Sequence, residues 1–174
     1  MAEVRTAKIT KDKVALYLDT SKTLTSGSWV PVWNRVAKST IFDLSFNPQS
    51  TTEDYIAYET AIEEISGYQP ELPQEIALYR GDPIYDYIEE LVYDLQVGDA
   101  LRVPVLLLFP PALGEDGKLT GDIKAWQIKD NRLLLSNFKT VEGKITFTLK
   151  LGGTYDRGTV SVADGVPVFT PAAA

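Results

Sequence analysis

The alternation of apolar and polar residues in 144–151 constrains the fold of this chain more than any other feature. Ile145, Phe147, Leu149 and Leu151 are separated by lysines and threonines. Because successive side chains of a strand point to opposite faces, this pattern predicts a half-buried β-strand. Further strand-like patterns occupy residues 14–18, 61–68, 72–79, 101–109, 123–128, 133–138, 159–162 and 166–169. Many short strands joined by turns predict a β-sandwich or barrel.

A single helix is predicted at about residues 83–97. Asp82 is suited to the N-cap, and Pro83 occupies the first helical position, where its missing N–H costs nothing. Gly98 is predicted to end the helix. The apolar stripe that would pack on the sheets comprises Ile84, Tyr87, Ile88, Leu91 and Leu95. The predicted fold class is therefore mainly β (α+β), a sandwich or barrel with one flanking α-helix.

Residues 41–46 are predicted to form a strand, with Phe42, Leu44 and Phe46 on one face. The polar residues 47–54 that follow are predicted to form a loop, longer than a tight hairpin needs. At the other end of the chain, Asp164-Gly165 predicts a type I′ hairpin turn. We expect three parts: an N-terminal arm, partly extended, at 1–28; a single β-sandwich domain at 29–170; and a short tail at 171–174.

The composition excludes most catalytic chemistry. The chain has no histidine and no cysteine, so it has neither the commonest general base nor a thiolate nucleophile or metal ligand. The adjacent carboxylates Glu63-Glu64 and Glu89-Glu90 do not face each other across a cleft, as glycoside hydrolysis requires. Oxygen ligands for calcium or magnesium remain, but Gly114-Glu115-Asp116-Gly117 and Asp164-Gly165 lack the alternating Asp/Asn ligands of a calcium loop and are typical of turns. We therefore expect no enzyme activity, no cofactor and no metal site. The start of the chain lacks the apolar core of a secretory signal, and the apolar run at 103–109 is too short for a membrane span.

Charge is distributed in three blocks. Residues 1–39 carry a net charge of +4, residues 40–100 carry −13, and residues 101–174 carry +2. Three interpretations of the acidic block are open. It could form a solvated face, face the basic parts of a neighbouring copy, or line a surface that repels a polyanion. Seven of the nine tyrosines also fall within this block. Tyrosine is favoured at interfaces, so these residues indicate contacts with copies of the chain, contacts with sugars, or simply the margin of the core.

Several segments, taken in order and spacing, resemble the major tail tube proteins of long-tailed (siphovirus-type) bacteriophages. The likeness covers about residues 29–170. The segments are WNRVAKST (33–40), SFNPQS (45–50), YIAY (55–58), ISGYQPEL (65–72), GDPIYDYI (81–88), LGG (151–153), RGT (157–159) and DGVPVF (164–169).

The resemblance implies a structural virion protein that assembles into stacked hexameric rings. The rings form a tail tube through which DNA is delivered, and the subunit is assembled in the host cytoplasm into the phage tail. Its partners are then copies of itself, other tail proteins and transiently passing DNA, with no membrane contact. A carbohydrate-binding β-sandwich module is the alternative.

Two sets of residues are candidates for the functional surfaces that this role requires. The loop is expected to be ordered by a neighbouring copy, and its candidate inter-subunit contacts are Asn47, Pro48, Gln49, Ser50, Thr51, Thr52, Glu53, Asp54 and Tyr55. The lumen of such tubes is usually acidic, and a negatively charged bore repels DNA phosphates. The candidate acids for the lumen are Asp43, Glu63 and Glu75.

Overall fold

Eleven β-strands and one α-helix make up the computed structural model, which describes residues 6–25 and 27–173. The strands are β1 (Ala15–Asp19), β2 (Trp33–Arg35), β3 (Pro48–Glu53), β4 (Ile62–Tyr68), β5 (Glu71–Ala77), β6 (Val105–Leu108), β7 (Ile123–Ile128), β8 (Arg132–Lys139), β9 (Lys144–Lys150), β10 (Tyr155–Ala163) and β11 (Val166–Pro171). The helix α1 spans Pro83–Tyr93. The predicted mainly β class with one helix is confirmed.

The strands form three antiparallel sheets. Six strands in the order β11-β10-β7-β6-β1-β2 make a curled half-barrel, and β5-β9-β8 make a second sheet. The remaining two strands, β3 and β4, pair only with each other. Asp164 and Gly165 between β10 and β11 both have positive φ, at 51° and 79°, which confirms the predicted type I′ turn.

The main core lies between the half-barrel, the three-stranded sheet and α1. Leu16 and Leu18 from β1 pack in the same cluster as Phe147 from β9 and Ile88 from α1. The predicted alternation in β9 is confirmed, because Ile145, Phe147 and Leu149 are buried while the lysines and threonines between them are not. A smaller cluster on the other face of the half-barrel includes Tyr17 and Leu106.

The start of α1 follows the prediction, but its end does not. The Asp82 carboxylate accepts a hydrogen bond from the Ile84 N–H at 3.0 Å, as an N-cap does. The helix stops at Tyr93, because Leu95 adopts a φ of 47° and the N–H groups of Leu95 and Gln96 bond back to Val92 O and Leu91 O. This is a Schellman closure without glycine. Leu95 is consequently exposed and not part of the stripe.

Two predictions for residues 41–54 are wrong. Residues 41–46 form no strand; the segment runs beside β5 and touches it through isolated bridges at Ser39 with Ile76 and Ser45 with Glu71. The predicted loop at 47–54 instead contains β3, which pairs along its whole length with β4. Both faces of β3 are exposed, so its sequence has no apolar alternation to mark it as a strand.

The predicted arm at 1–28 contains β1, which lies between β6 and β2 in the half-barrel and contributes to the core. Residues 1–5 and 26 of that arm, and residue 174 of the predicted tail, lie outside the described residues. The three-part division of the chain stays a prediction. Within 6–25 and 27–173, no helix combines the length and apolar character that crossing a membrane requires.

Candidate functional site

The β3–β4 hairpin extends from the body with both faces open to solvent. Every residue of β3 is exposed, as is every residue of β4 except Gly67, and residues 54–61 at the tip are all exposed. At the tip, the Tyr58 N–H bonds to Tyr55 O at 3.0 Å, and the two rings pack edge to face at 6.2 Å. Between them, Ile56 is fully exposed. The tip therefore presents an apolar group that no described residue of its own chain covers.

A β-bulge near the base of the hairpin changes the pairing of β3 with β4. The register shifts between Gln49 and Ser50, and the Ser66 hydroxyl donates to Gln49 O at 3.0 Å. A bulge of this kind increases the local twist and turns the strand. Below it, Tyr68 packs edge to face on Phe46, with ring centroids 6.4 Å apart.

An open apolar groove of about 720 Å³ separates the hairpin base from the half-barrel. Ile65 and Tyr68 line one side. On the other side, Trp126 stacks edge to face on Tyr155 at 5.3 Å, and the exposed Arg157 closes the rim. The aromatic residues that line this groove lie far apart in the sequence, and only the fold brings its two walls together.

The structure places the candidate contact residues in and beside one strand of the hairpin. Pro48 to Glu53 form β3, Asn47 precedes it with a φ of 43°, and Asp54 and Tyr55 begin the tip. The sequence prediction stopped at Tyr55 and missed residues 56–61 and all of β4 as parts of the same projection. The Tyr-Ile-Ala-Tyr run at 55–58 was the available signal, since apolar residues at a loop tip indicate contacts beyond the chain.

The three candidate lumen acids lie on three different elements. Asp43 is exposed on the segment beside β5. Glu63 lies on β4 and accepts a hydrogen bond from the Ser50 hydroxyl at 2.6 Å. Glu75 lies on the outer face of β5, where its carboxylate meets Lys144 at 2.6 Å and Lys139 at 3.3 Å.

Glu75 differs from the other two because its charge is balanced locally. The Lys144 ammonium, the Thr40 hydroxyl and Lys139 lower the pKa of Glu75 to about 2. On the same sheet face, Lys150 pairs with Glu71. Other acids of the acidic block are also paired: Glu89 on α1 contacts Arg80 and accepts from the Tyr85 hydroxyl. The acidic block thus includes both carboxylates that are paired within the chain, such as Glu71, Glu75 and Glu89, and exposed ones such as Asp43.

A small cavity of about 230 Å³ near α1 holds charged side chains without a reactive arrangement. Its buried Asp19 carboxylate accepts hydrogen bonds from the N–H groups of Ser21 and Val32 and from Trp29 Nε1–H. Burial raises the pKa of Tyr87 to about 12, which keeps its phenol protonated near neutral pH. Across the described part of the chain, no three Asp or Glu residues are grouped closely enough to hold a metal ion.

No family model matches the chain. No curated protein matches its sequence either. Among solved structures, the chain is similar to a protein in the tail of an empty GTA particle with C6 symmetry, at 12% identity and a TM-score of 0.51, covering 85% of this chain and 97% of that one. A component of the baseplate of the anti-feeding prophage (AFP) matches at 9% identity and a TM-score of 0.44, covering 88% and 96% of the two chains. At such identities the likeness is one of fold: this chain shares its fold with a protein of the GTA particle tail.

Proposed function

We propose that this chain is a structural subunit that assembles with copies of itself into stacked hexameric rings, forming the tail tube of a phage-like particle. The observation that carries the proposal is the β3–β4 hairpin, which leaves the body with both faces exposed and an apolar tip at Ile56. Isolated two-stranded hairpins are marginal in water, so a projecting one of this length needs a partner surface.

The fold and charge support the same role. A heterologous contact that closes by rotation makes a ring, and a second contact between rings makes a tube. The fold is that of a tail protein from a particle with C6 symmetry. Residues 48–68 carry five acids and no lysine or arginine. An acidic projection of this kind favours a partner surface of opposite charge.

The proposed role needs no catalytic group and no cofactor. The tube ends would be closed by other tail proteins, and DNA would pass through without lasting contact. Glu63 is a strong candidate for the lumen, because it is exposed on the projecting hairpin and its carboxylate accepts a hydrogen bond from the Ser50 hydroxyl. Glu75 is the weakest, because Lys139 and Lys144 offset its charge.

Electron microscopy of purified protein, together with sedimentation, tests the assembly. We expect rings or tubes from the parent chain. Ile56→Asp should abolish them, since it places a charge in the contact made by the apolar tip, while the monomer stays folded. The matched control is Val97→Asp, which changes an exposed valine outside the hairpin. A parent that remains monomeric at all concentrations would refute the proposal, as would normal tubes from Ile56→Asp.

The position of Glu63 is tested separately with a bulky label. The chain has no cysteine, so Glu63→Cys and Asp164→Cys each create a single attachment point. A label at position 63 should narrow the central channel in averaged images, whereas the label at 164 provides a comparison on another hairpin. Density on the outer rim would remove Glu63 from the lumen and leave the tube itself intact.

A further inference from the structure

The two larger sheets have four edge strands among the described residues: β11 and β2 on the half-barrel, and β5 and β8 on the three-stranded sheet. An edge strand presents unpaired N–H and C=O groups, to which another chain can add a strand. Whether an edge accepts a strand depends on which of its donors face outward, on what covers it and on its charge.

Two prolines close the edge at β11. The Ala172 N–H bonds to Arg157 O on β10, so by alternation the outward positions on β11 are residues 167, 169 and 171. Pro167 and Pro171 have no N–H, which leaves Phe169 as the one outward donor of the three. At these three positions, an added strand would find one N–H donor, and two of its carbonyl oxygens would have no hydrogen bond from β11.

The edges at β5 and β2 are also unfavourable. Residues 38–45 run beside β5, and the backbone of Lys38, Thr40 and Ser45 bonds to it. The β2 strand has only three residues, too few to hold an added strand in register.

The edge at β8 is open. The Leu151 N–H bonds to Pro70 O at the β5 side of β9, so the alternate residues 144, 146, 148 and 150 face β8. Leu135 and, after the bulge, Phe138 therefore direct their peptide groups outward into open space, whereas Leu133 is 0% exposed and lies against the segment at Arg102. Arg102 bridges β8 only at its first residue, Arg132. No strand in the described part of the chain lies beside the rest of this edge.

The side chains of β8 suit a strand that exposes apolar groups. Leu134 and Phe138 are 43% and 44% exposed. Arg132 and Lys139 stand at the two ends, where Arg132 pairs with Asp99 and Lys139 pairs with Glu75 and Glu142 of the same chain.

We propose that β8 of one copy accepts β4 from the hairpin of a second copy as an added strand. The strand β4 has seven residues without proline, exposes Ile62 and Ile65, and carries Glu63 and Glu64 as its charged residues. Pairing with β8 turns the isolated two-stranded hairpin into part of a five-stranded sheet shared by two copies, and exposed apolar side chains of the two strands meet. This inference rests on the proposed self-assembly and specifies how one of its contacts is made.

Amide hydrogen exchange on monomeric and assembled parent chain tests the pairing without mutation. The outward amides of Leu135 and Phe138 should exchange at least about tenfold more slowly in the assembly, because a hydrogen bond forms at each. Amides of β11 at its free edge should not change. Assembly with unprotected β8 amides would overturn strand addition while leaving self-assembly intact, and a parent that never assembles would overturn both.

Backbone and side-chain effects are separated by two variants of one residue. Phe138→Pro removes an outward N–H and no bond to β9, so circular dichroism should show a folded monomer that no longer forms particles. Phe138→Thr keeps the N–H and the strand preference, and should assemble within about threefold of the parent's threshold concentration. Equal loss in both variants, or normal assembly of a folded Phe138→Pro, would overturn the proposal.

Discussion

Replacing Asp19 tests how a polar group in the core holds residues 20–32. Its side chain is nearly inaccessible, with 2% of the residue exposed. One carboxylate oxygen accepts from the Ser21 N–H at 2.9 Å and the Val32 N–H at 2.8 Å, and the other accepts from Trp29 Nε1–H at 2.7 Å. Three donors from one long loop thus converge on one side chain at the end of β1.

Asp19→Ala leaves all three donors without their acceptor. A hydrogen bond to a charged group contributes about 1.5–3 kcal/mol, but the three share one carboxylate and do not add. We expect Asp19→Ala to lower the free energy of unfolding by about 3–5 kcal/mol. Asp19→Asn keeps an oxygen toward Ser21 and Val32 and turns its amide N–H₂ toward the Trp29 donor. The hydrogen bond from Trp29 is then lost, because two N–H donors face each other. The free energy of unfolding should fall by about 1–3 kcal/mol.

Urea denaturation followed by tryptophan fluorescence measures the free energy of unfolding of both variants, and thermal denaturation measures their Tm. For a chain of this length, Asp19→Ala should lower Tm by roughly 6–20 °C. Emission of Trp29 should shift to the red, since its indole N–H turns to water. Asp43→Ala, which changes an exposed carboxylate, should stay within about 0.5 kcal/mol of the parent. A loss below about 1 kcal/mol for Asp19→Ala, or equal losses for the alanine and asparagine variants, would refute the reasoning.

Two further predictions concern the helix and the charged sheet face. Leu91 is 5% exposed, so Leu91→Ala should cost about 2–5 kcal/mol, while Leu95→Ala at an 80% exposed position should cost under about 0.5 kcal/mol; equal losses in urea denaturation would contradict the observed helix end. The folded-state pKa of Glu75 is lowered from 4.5 to about 2, so its contribution is present above pH 4.5 and disappears as the pH falls to about 2. Between pH 4.5 and about 2, Glu75→Gln should therefore lose less stability than the parent in acid denaturation. Identical acid transitions of the two proteins would exclude the contribution of the Glu75 carboxylate.

Segments that pack one face on the core were predictable from local pattern. The strand β9 alternates because Ile145, Phe147 and Leu149 enter the core while its lysines and threonines stay outside. The helix start was readable because Asp82 and Pro83 act on the backbone within two residues. The turn at Asp164-Gly165 depends only on the φ values that those two residues tolerate.

Features that depend on distant partners were not predictable. The strand β3 has no buried face, and it exists because β4 lies beside it. The end of α1 depends on Leu95 accepting a left-handed conformation where glycine was expected three residues later. Glu75 was predicted as a candidate lumen acid from its strand-like segment, and its ion pairs with Lys139 and Lys144, 64 and 69 residues away, could not be predicted from that segment.

The sequence by itself determined the mainly β class, the single helix, the absence of histidine and cysteine chemistry, and an acidic middle of the chain. These follow from composition and from side-chain periodicity, which local geometry translates directly into buried and exposed faces. Only the tertiary structure decided that polar residues 48–53 form half of a projecting hairpin, that the acidic block includes both paired and exposed carboxylates, and that β8 is the unblocked edge. Each of these depends on which strands become neighbours, and strand pairing is set by contacts between residues far apart in the chain.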